Sequence, residues 1–199
     1  MGIDTSGEPK EGSDPMAIVA GAYNKGKENF FTQEVWSDQA TPEELDERAH
    51  EIYWRHYRSK RIKANVFLEQ IVSASGLGRS LFRNVAEKKQ LEEPDRKEFW
   101  EPIPVMEIAP SINKDVRLLA MRLDTEQRKM HYIPGHSQQN LLVDQWCNWI
   151  PGTNTHKKTT DIRWKIDVSD AHTLLHQNIT KEIIVPEAAP MVRVFAPRR

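Results

Sequence analysis

The sequence contains one cysteine, Cys147, among 199 residues, which excludes an intramolecular disulfide framework and any multi-cysteine zinc site. A reducing compartment is the simple reading. No run approaches the roughly 20 apolar residues that span a bilayer, and residues 1–10 lack the basic start and apolar stretch of a secretory signal. A cytoplasmic or virion location is expected, with no export by a signal peptide. Asp4, Glu8, Glu11 and Asp14 also argue against an Arg-rich mitochondrial presequence. Residues 2–6 satisfy the loose Met-Gly-x-x-x-Ser pattern for myristoylation, although a glycine after the initiator is its ordinary explanation. Charge of one sign is lacking too: 28 Lys+Arg against 29 Asp+Glu leave a net −1, so no uniform basic coat for nucleic acid exists.

The near-neutrality conceals segregation. Residues 1–50 carry −7, residues 51–90 carry +6, residues 91–130 carry −2 and residues 131–199 carry +2. Such asymmetry orients partners and says nothing about fold. The hydrophobic content, 38%, is lean for a single packed body of this length.

Residues 1–15 hold three Gly, two Pro and few apolar side chains, and read as an arm. Residues 16–36 regain Ile18, Val19, Tyr23, Phe30, Phe31, Val35 and Trp36 without a sustained period, suiting them to docking along a surface. Thr41-Pro42-Glu43-Glu44 predicts a helix start with an N-cap, Pro at N1 and a capping box. The apolar arc of Leu45, Ala49, Ile52, Tyr53 and Tyr57, resumed by Phe67 and Ile71, extends that helix toward residue 75. A second helix is expected over 79–90, then a Pro-rich connector through Glu101-Pro102-Ile103-Pro104. Beyond it, 115–123 and 127–133 read as a hairpin, Ser137 caps a short helix, and 161–168 alternates as a strand. Ser169 or Asp170 caps another short helix, and 179–185 and 191–195 read as terminal strands. The expectation is α+β: an extended acidic N-terminal arm (1–40), a helical segment (41–90), a Pro-rich linker (91–110) and a small antiparallel β-rich region with short helices and a strand-like tail (111–199).

Residues 54–63 concentrate Trp54, Arg55, Arg58, Lys60, Arg61 and Lys63. An Arg stripe can fork onto partner carboxylates or onto phosphates, although a solvated face paired with the acidic N-terminal region explains it as simply. His172 and His176 have the i, i+4 spacing of zinc helices, but Thr173 stands where the catalytic motif needs Glu. His156, Asp170 and Cys147 are the available third ligands, with nothing to set their distance. Cys147 between Trp146 and Asn148 reads as a buried, inert thiol, and Ser75-Gly76-Leu77-Gly78-Arg79-Ser80 lacks the spacing of a phosphate loop. Six Trp include Trp36 and Trp100 in low-apolar segments, where they are candidate anchors into neighbouring chains. Phe195 lies in a tail able to add to a sheet edge.

No convergent catalytic set emerges, and no cofactor or metal is expected. The sequence therefore points to a non-enzymatic structural subunit of a large assembly, such as a virion or phage particle. It would bind other protein subunits, or copies of itself, through Trp36, Trp54, Arg55, Arg58, Arg61, Trp100 and Phe195. The alternative is a nucleic-acid-binding accessory protein using Arg55, Arg58, Lys60, Arg61 and Lys63.

Overall fold

Residues 16–38, aperiodic in sequence, form the two longest strands among the described residues, β2 (Met16–Asn24) and β3 (Asn29–Asp38), paired as an antiparallel hairpin. The computed structural model describes residues 1–5, 15–69, 77–108, 113–152 and 161–181. Beside β2 lies β1 (Gly2–Asp4), antiparallel to it, and β1 in turn runs parallel to β4 (Val66–Glu69). Two short strands complete the six-stranded order β5-β4-β1-β2-β3-β6: β5 (Val105–Ile108), parallel to β4, and β6 (Met130–His131), parallel to β3. The α+β expectation holds. Its antiparallel detail holds only for β1, β2 and β3, since the other three pairings are parallel.

Among the described residues five helices cover both faces: α1 (Pro42–His56), α2 (Leu77–Glu92), α3 (Lys114–Glu126), α4 (Gln139–Asn148) and α5 (Asp167–Lys181). Strand alternation divides the core. Ile3, Met16, Ile18 and Ala20 pack with Leu45, Ile52 and Tyr53 of α1 and Phe82 of α2. Ala17, Val19, Phe30 and Phe67 pack on the opposite face with Met121 of α3, Leu142 of α4 and Val168, Ala171, Leu174 and Leu175 of α5. A strand covered on both faces is apolar on both faces, so β2 shows no period of two. Within the stretch expected to be an arm, residues 1–5 instead bring Met1 and Ile3 into the core beside β2, and residues 6–14 lie outside the described residues.

The capping box forms as the sequence predicts, Glu44 N donating to Thr41 Oγ1 while Thr41 N donates to the Glu44 carboxylate. The helix stops at His56 rather than near residue 75. A 3-10 turn (Arg58–Lys60) follows, and Arg61 takes a left-handed φ of 57°, after which the chain enters β4. Tyr57, at the helix end, binds β2 at Gly21, where the β2–β3 register shifts: its hydroxyl donates to the Gly21 carbonyl and accepts from the Gly21 N–H, both at 3.0 Å.

Three further β expectations are corrected. The supposed first hairpin strand is helix α3, with Asn113 accepting from Asp115 N at its start, and only Met130 and His131 of the second are extended. The alternation over 161–168 is a 3-10 turn (Ile162–Trp164) running into α5. Residues 179–181 continue α5, and the rest of the terminal strands lies outside the described residues. The Pro-rich connector contains a 3-10 turn (Pro94–Arg96) and β5. Ser137 does not cap α4; its hydroxyl accepts from Val35 N. Among the described residues no helix is long and apolar enough to cross a membrane.

Candidate metal centre

β1 and β4 pair Gly2 with Phe67 and Ile3 with Leu68. The next residue on each strand, Asp4 and Glu69, therefore stands at the carboxyl end of two parallel neighbours and on one face. β1 has an antiparallel partner on its other side, so this is a switch point of the topology, where open sheets place ligands. Helix α5 crosses the same face and brings Asp170 from its first turn. Gly2 permits that approach: a Cβ there would lie 2.1 Å from the Ala171 carbonyl oxygen. One carboxylate oxygen from each of Asp4, Glu69 and Asp170 lies within 4.8 Å of the others. Asp4 is 8% exposed and Asp170 1%, and Asp167, one turn before Asp170, is buried as well.

Helix α3 supplies two cations to this pocket. The Lys114 ammonium pairs with Asp4 at 3.8 Å and with Asp170. One turn later, Arg117 Nη2 reaches Glu69 at 3.0 Å and Asp170 at 2.9 Å. The Arg117 side chain is buried, and its Nε has no hydrogen-bond partner.

Burial is the main reason the Asp4 carboxyl is pushed well above the ordinary aspartate range; Lys114 opposes the shift, and Asp170, Asp167 and Glu69 reinforce it. Burial by itself would lower the Lys114 ammonium, but the Asp4 and Asp170 carboxylates outweigh it and hold that group above the usual lysine value. The donor set consists of carboxylate oxygens alone. Such a set suits hard ions such as Mg2+, Mn2+ or Ca2+ and disfavours the softer metals bound by imidazole and thiolate. Asp4, Glu69 and Asp170 thus fit a hard divalent cation, with two side-chain cations now balancing their charge.

The residues singled out in the sequence lie elsewhere. Arg55 donates twice to the Glu34 carboxylate, at 2.6 and 2.7 Å, and His56 meets the same carboxylate at 2.6 Å. Burial would raise Glu34, but the hydrogen bonds from His56 and Arg55 prevail and lower it. Arg58 donates to the carbonyls of Glu98, Phe99, Glu101 and Pro102 at 2.8–3.2 Å, pinning the connector against the end of α1. Lys60, Arg61 and Lys63 are exposed, just before the amino end of β4. Glu69 stands at its carboxyl end, so the basic turn and the pocket are at opposite ends of the strand.

Trp100 is buried and donates from Nε1 to Glu93. Trp36 packs half-buried on the core under Arg48, and Trp54 stands beside Phe99. Phe195 lies outside the described residues. His172 and His176 do share a helix face, but they flank Phe30 edge-on at 5.2 and 5.5 Å. His172 Nε2 lies 3.1 Å from Thr32 Oγ1, and His176 pairs with Asp124. Burial, with a smaller contribution from His176, pushes His172 down to about 3. Cys147 is exposed, not buried, because α4 turns Leu142 and Gln145 inward.

The pocket residues were missed because each is ordinary in its local context. Asp4 reads as one acid of an arm, Glu69 as mid-helix, and Asp170 as a cap or as a third ligand beside His172 and His176 rather than a partner of Asp4 and Glu69. The only local signal is that two short apolar runs, Met1-Gly2-Ile3 and Val66-Phe67-Leu68, each end in a carboxylate.

No protein-family model and no curated protein matches the chain. Among solved structures, its fold is similar to the manganese-bound nuclease domain of the large terminase g2p from bacteriophage SPP1. That match has 14% identity and a TM-score of 0.48, covering 89% of this chain and 84% of the other. It is also similar to the yeast mitochondrial Holliday junction resolvase, with 10% identity and a TM-score of 0.46, covering 92% and 83%. The expectation of a non-enzymatic structural or virion subunit, motivated by the lack of a convergent set of chemically active side chains, is corrected by the convergence of Asp4, Glu69 and Asp170.

Proposed function

We propose that this protein is a nuclease that hydrolyses phosphodiester bonds with the help of a divalent cation. The observation that carries the reading is the convergence of Asp4, Glu69 and Asp170 within 4.8 Å at the carboxyl ends of β1 and β4. Gathering like charges out of water costs stability, and such perturbed clusters concentrate at functional sites. Those three residues would hold the ion, which when bound polarises a phosphoryl oxygen and makes water more acidic. Arg117 keeps Glu69 and Asp170 turned toward each other. Lys114 extends from solvent to the carboxylates, its side chain 44% exposed, where its ammonium can also donate to an incoming phosphate.

The test is cleavage of end-labelled single-stranded, duplex and four-way-junction DNA and of RNA, with Mn2+ or Mg2+ and with chelator. Cation-dependent cleavage that Asp170→Asn and Glu69→Gln abolish, in proteins that retain their circular dichroism, supports the reading. A wild-type protein that binds neither ion and cleaves none of these substrates overturns it.

A further inference from the structure

The two cations of α3 differ in how they are held. Arg117 is enclosed, its side chain 6% exposed, and its guanidinium meets Glu69 and Asp170 from inside the protein. Lys114 is 44% exposed on a flexible stem and enters the same carboxylates from solvent, touching Asp4 and Asp170. Asp170 is contacted by both. Only Lys114 can leave without carrying a buried charge through the core.

The buried face of α3 consists of Arg117, Leu118 and Met121, whereas Val116, Leu119 and Leu123 face outward. The first turn of the helix therefore rests on the body mainly through charge. We propose that Lys114 is an exchangeable placeholder: its ammonium balances Asp4 and Asp170 in the metal-free protein and gives up those carboxylates when a divalent cation enters. Arg117 is the fixed counterpart, a positioning residue that keeps Glu69 and Asp170 converged through the exchange. The inference rests on the metal-centre reading and adds a competition that the reading does not require.

A physical consequence follows for each side of the exchange. An ion entering the pocket must overcome the attraction between Lys114 and its carboxylates, so removing the ammonium strengthens metal binding. An ammonium released to water becomes more reactive, because it loses both its carboxylate partners and its shielding.

The experiment uses the full chain, stripped of metal, with Mn2+ itself as the probe. Calorimetric titration compares the wild type, Lys114→Met and Asp170→Asn. In parallel, lysine acetylation by acetic anhydride is followed by peptide mass spectrometry with and without Mn2+. The surface ion pair of Lys129 with Glu28 serves as the internal reference. Expected are at least tenfold tighter Mn2+ binding by Lys114→Met and at least threefold faster acetylation of Lys114 on adding Mn2+, with Lys129 unchanged. Wild-type Mn2+ binding that Asp170→Asn abolishes, combined with an unchanged Lys114→Met affinity and unchanged Lys114 labelling, overturns the exchange while leaving the metal centre standing. Absence of Mn2+ binding in both the wild type and Lys114→Met overturns the exchange and the metal centre together.

Discussion

Neutralising Asp4 by Asp4→Asn should stabilise the metal-free protein while removing its ability to bind the cation. Three carboxylate oxygens within 4.8 Å of one another repel by roughly 3 kcal/mol per pair at an effective dielectric constant of 20. Asp4 takes part in two such repulsions. Against them stands one attraction of similar size from Lys114, 3.8 Å away, since Arg117 spends its contacts on Glu69 and Asp170. About one repulsion is left uncompensated, and burial adds to it. After relaxation, Asp4→Asn should gain on the order of 1–3 kcal/mol at pH 7.5. The sign with pH follows from the raised folded-state value. Where the native carboxyl is protonated and the unfolded one is not, the native state binds the extra proton, so the wild type recovers stability as pH falls and the gap to Asp4→Asn closes. Urea unfolding at pH 7.5 and 4.5 in chelator measures both values, and Mn2+ titration measures the lost affinity. A variant less stable than the wild type at pH 7.5 would refute the reasoning, because it would mean that the Asp4 charge stabilises the fold through Lys114.

Gly2→Ala should cost several kcal/mol or prevent folding, because its Cβ would sit 2.1 Å from the Ala171 carbonyl and neither β1 nor α5 can shift cheaply; thermal unfolding measures it. Arg58→Ala removes four carbonyl contacts and should lower stability by about 2–3 kcal/mol, with little recovery in Arg58→Lys, as chemical denaturation will show. His172, held near 3 by burial, stays neutral in the native state while the unfolded chain protonates near 6.5. Stability is therefore complete above that value and should fall by roughly 1 kcal/mol between pH 7 and 5.5. Replacing His172 with Gln should flatten that part of the denaturation profile.

How much was legible in the sequence depended on the range of the forces involved. The Thr41 capping box was legible because its partners lie three residues apart and its geometry is local. So was the existence of α2, and so were the turns at Pro134-Gly135 and Pro151-Gly152. The β1 to β3 region was not, because strands buried on both faces lose their alternation. The alternation at 161–168 misled in the opposite direction. Its Ile166 and Val168 are buried at the entry to a helix while Ile162 is exposed, so the period of two was accidental. The basic cluster was legible as composition and illegible as function: Glu34 and the carbonyls of the connector claim Arg55 and Arg58, and both partners are remote in sequence.

The sequence by itself determined that no disulfides brace this protein, that helix α1 begins at Thr41, and that the chain belongs to the α+β class, since these follow from composition and from interactions within a few residues. Only the tertiary structure decided that an acid at position 4, another at 69 and a third at 170 share a pocket with Lys114 and Arg117. Parallel pairing of β1 with β4, and the close crossing of α5 permitted by Gly2, bring together side chains separated by up to 166 positions. Backbone hydrogen bonding and core packing enforce that proximity, and the charges that gather there carry no local pattern of their own.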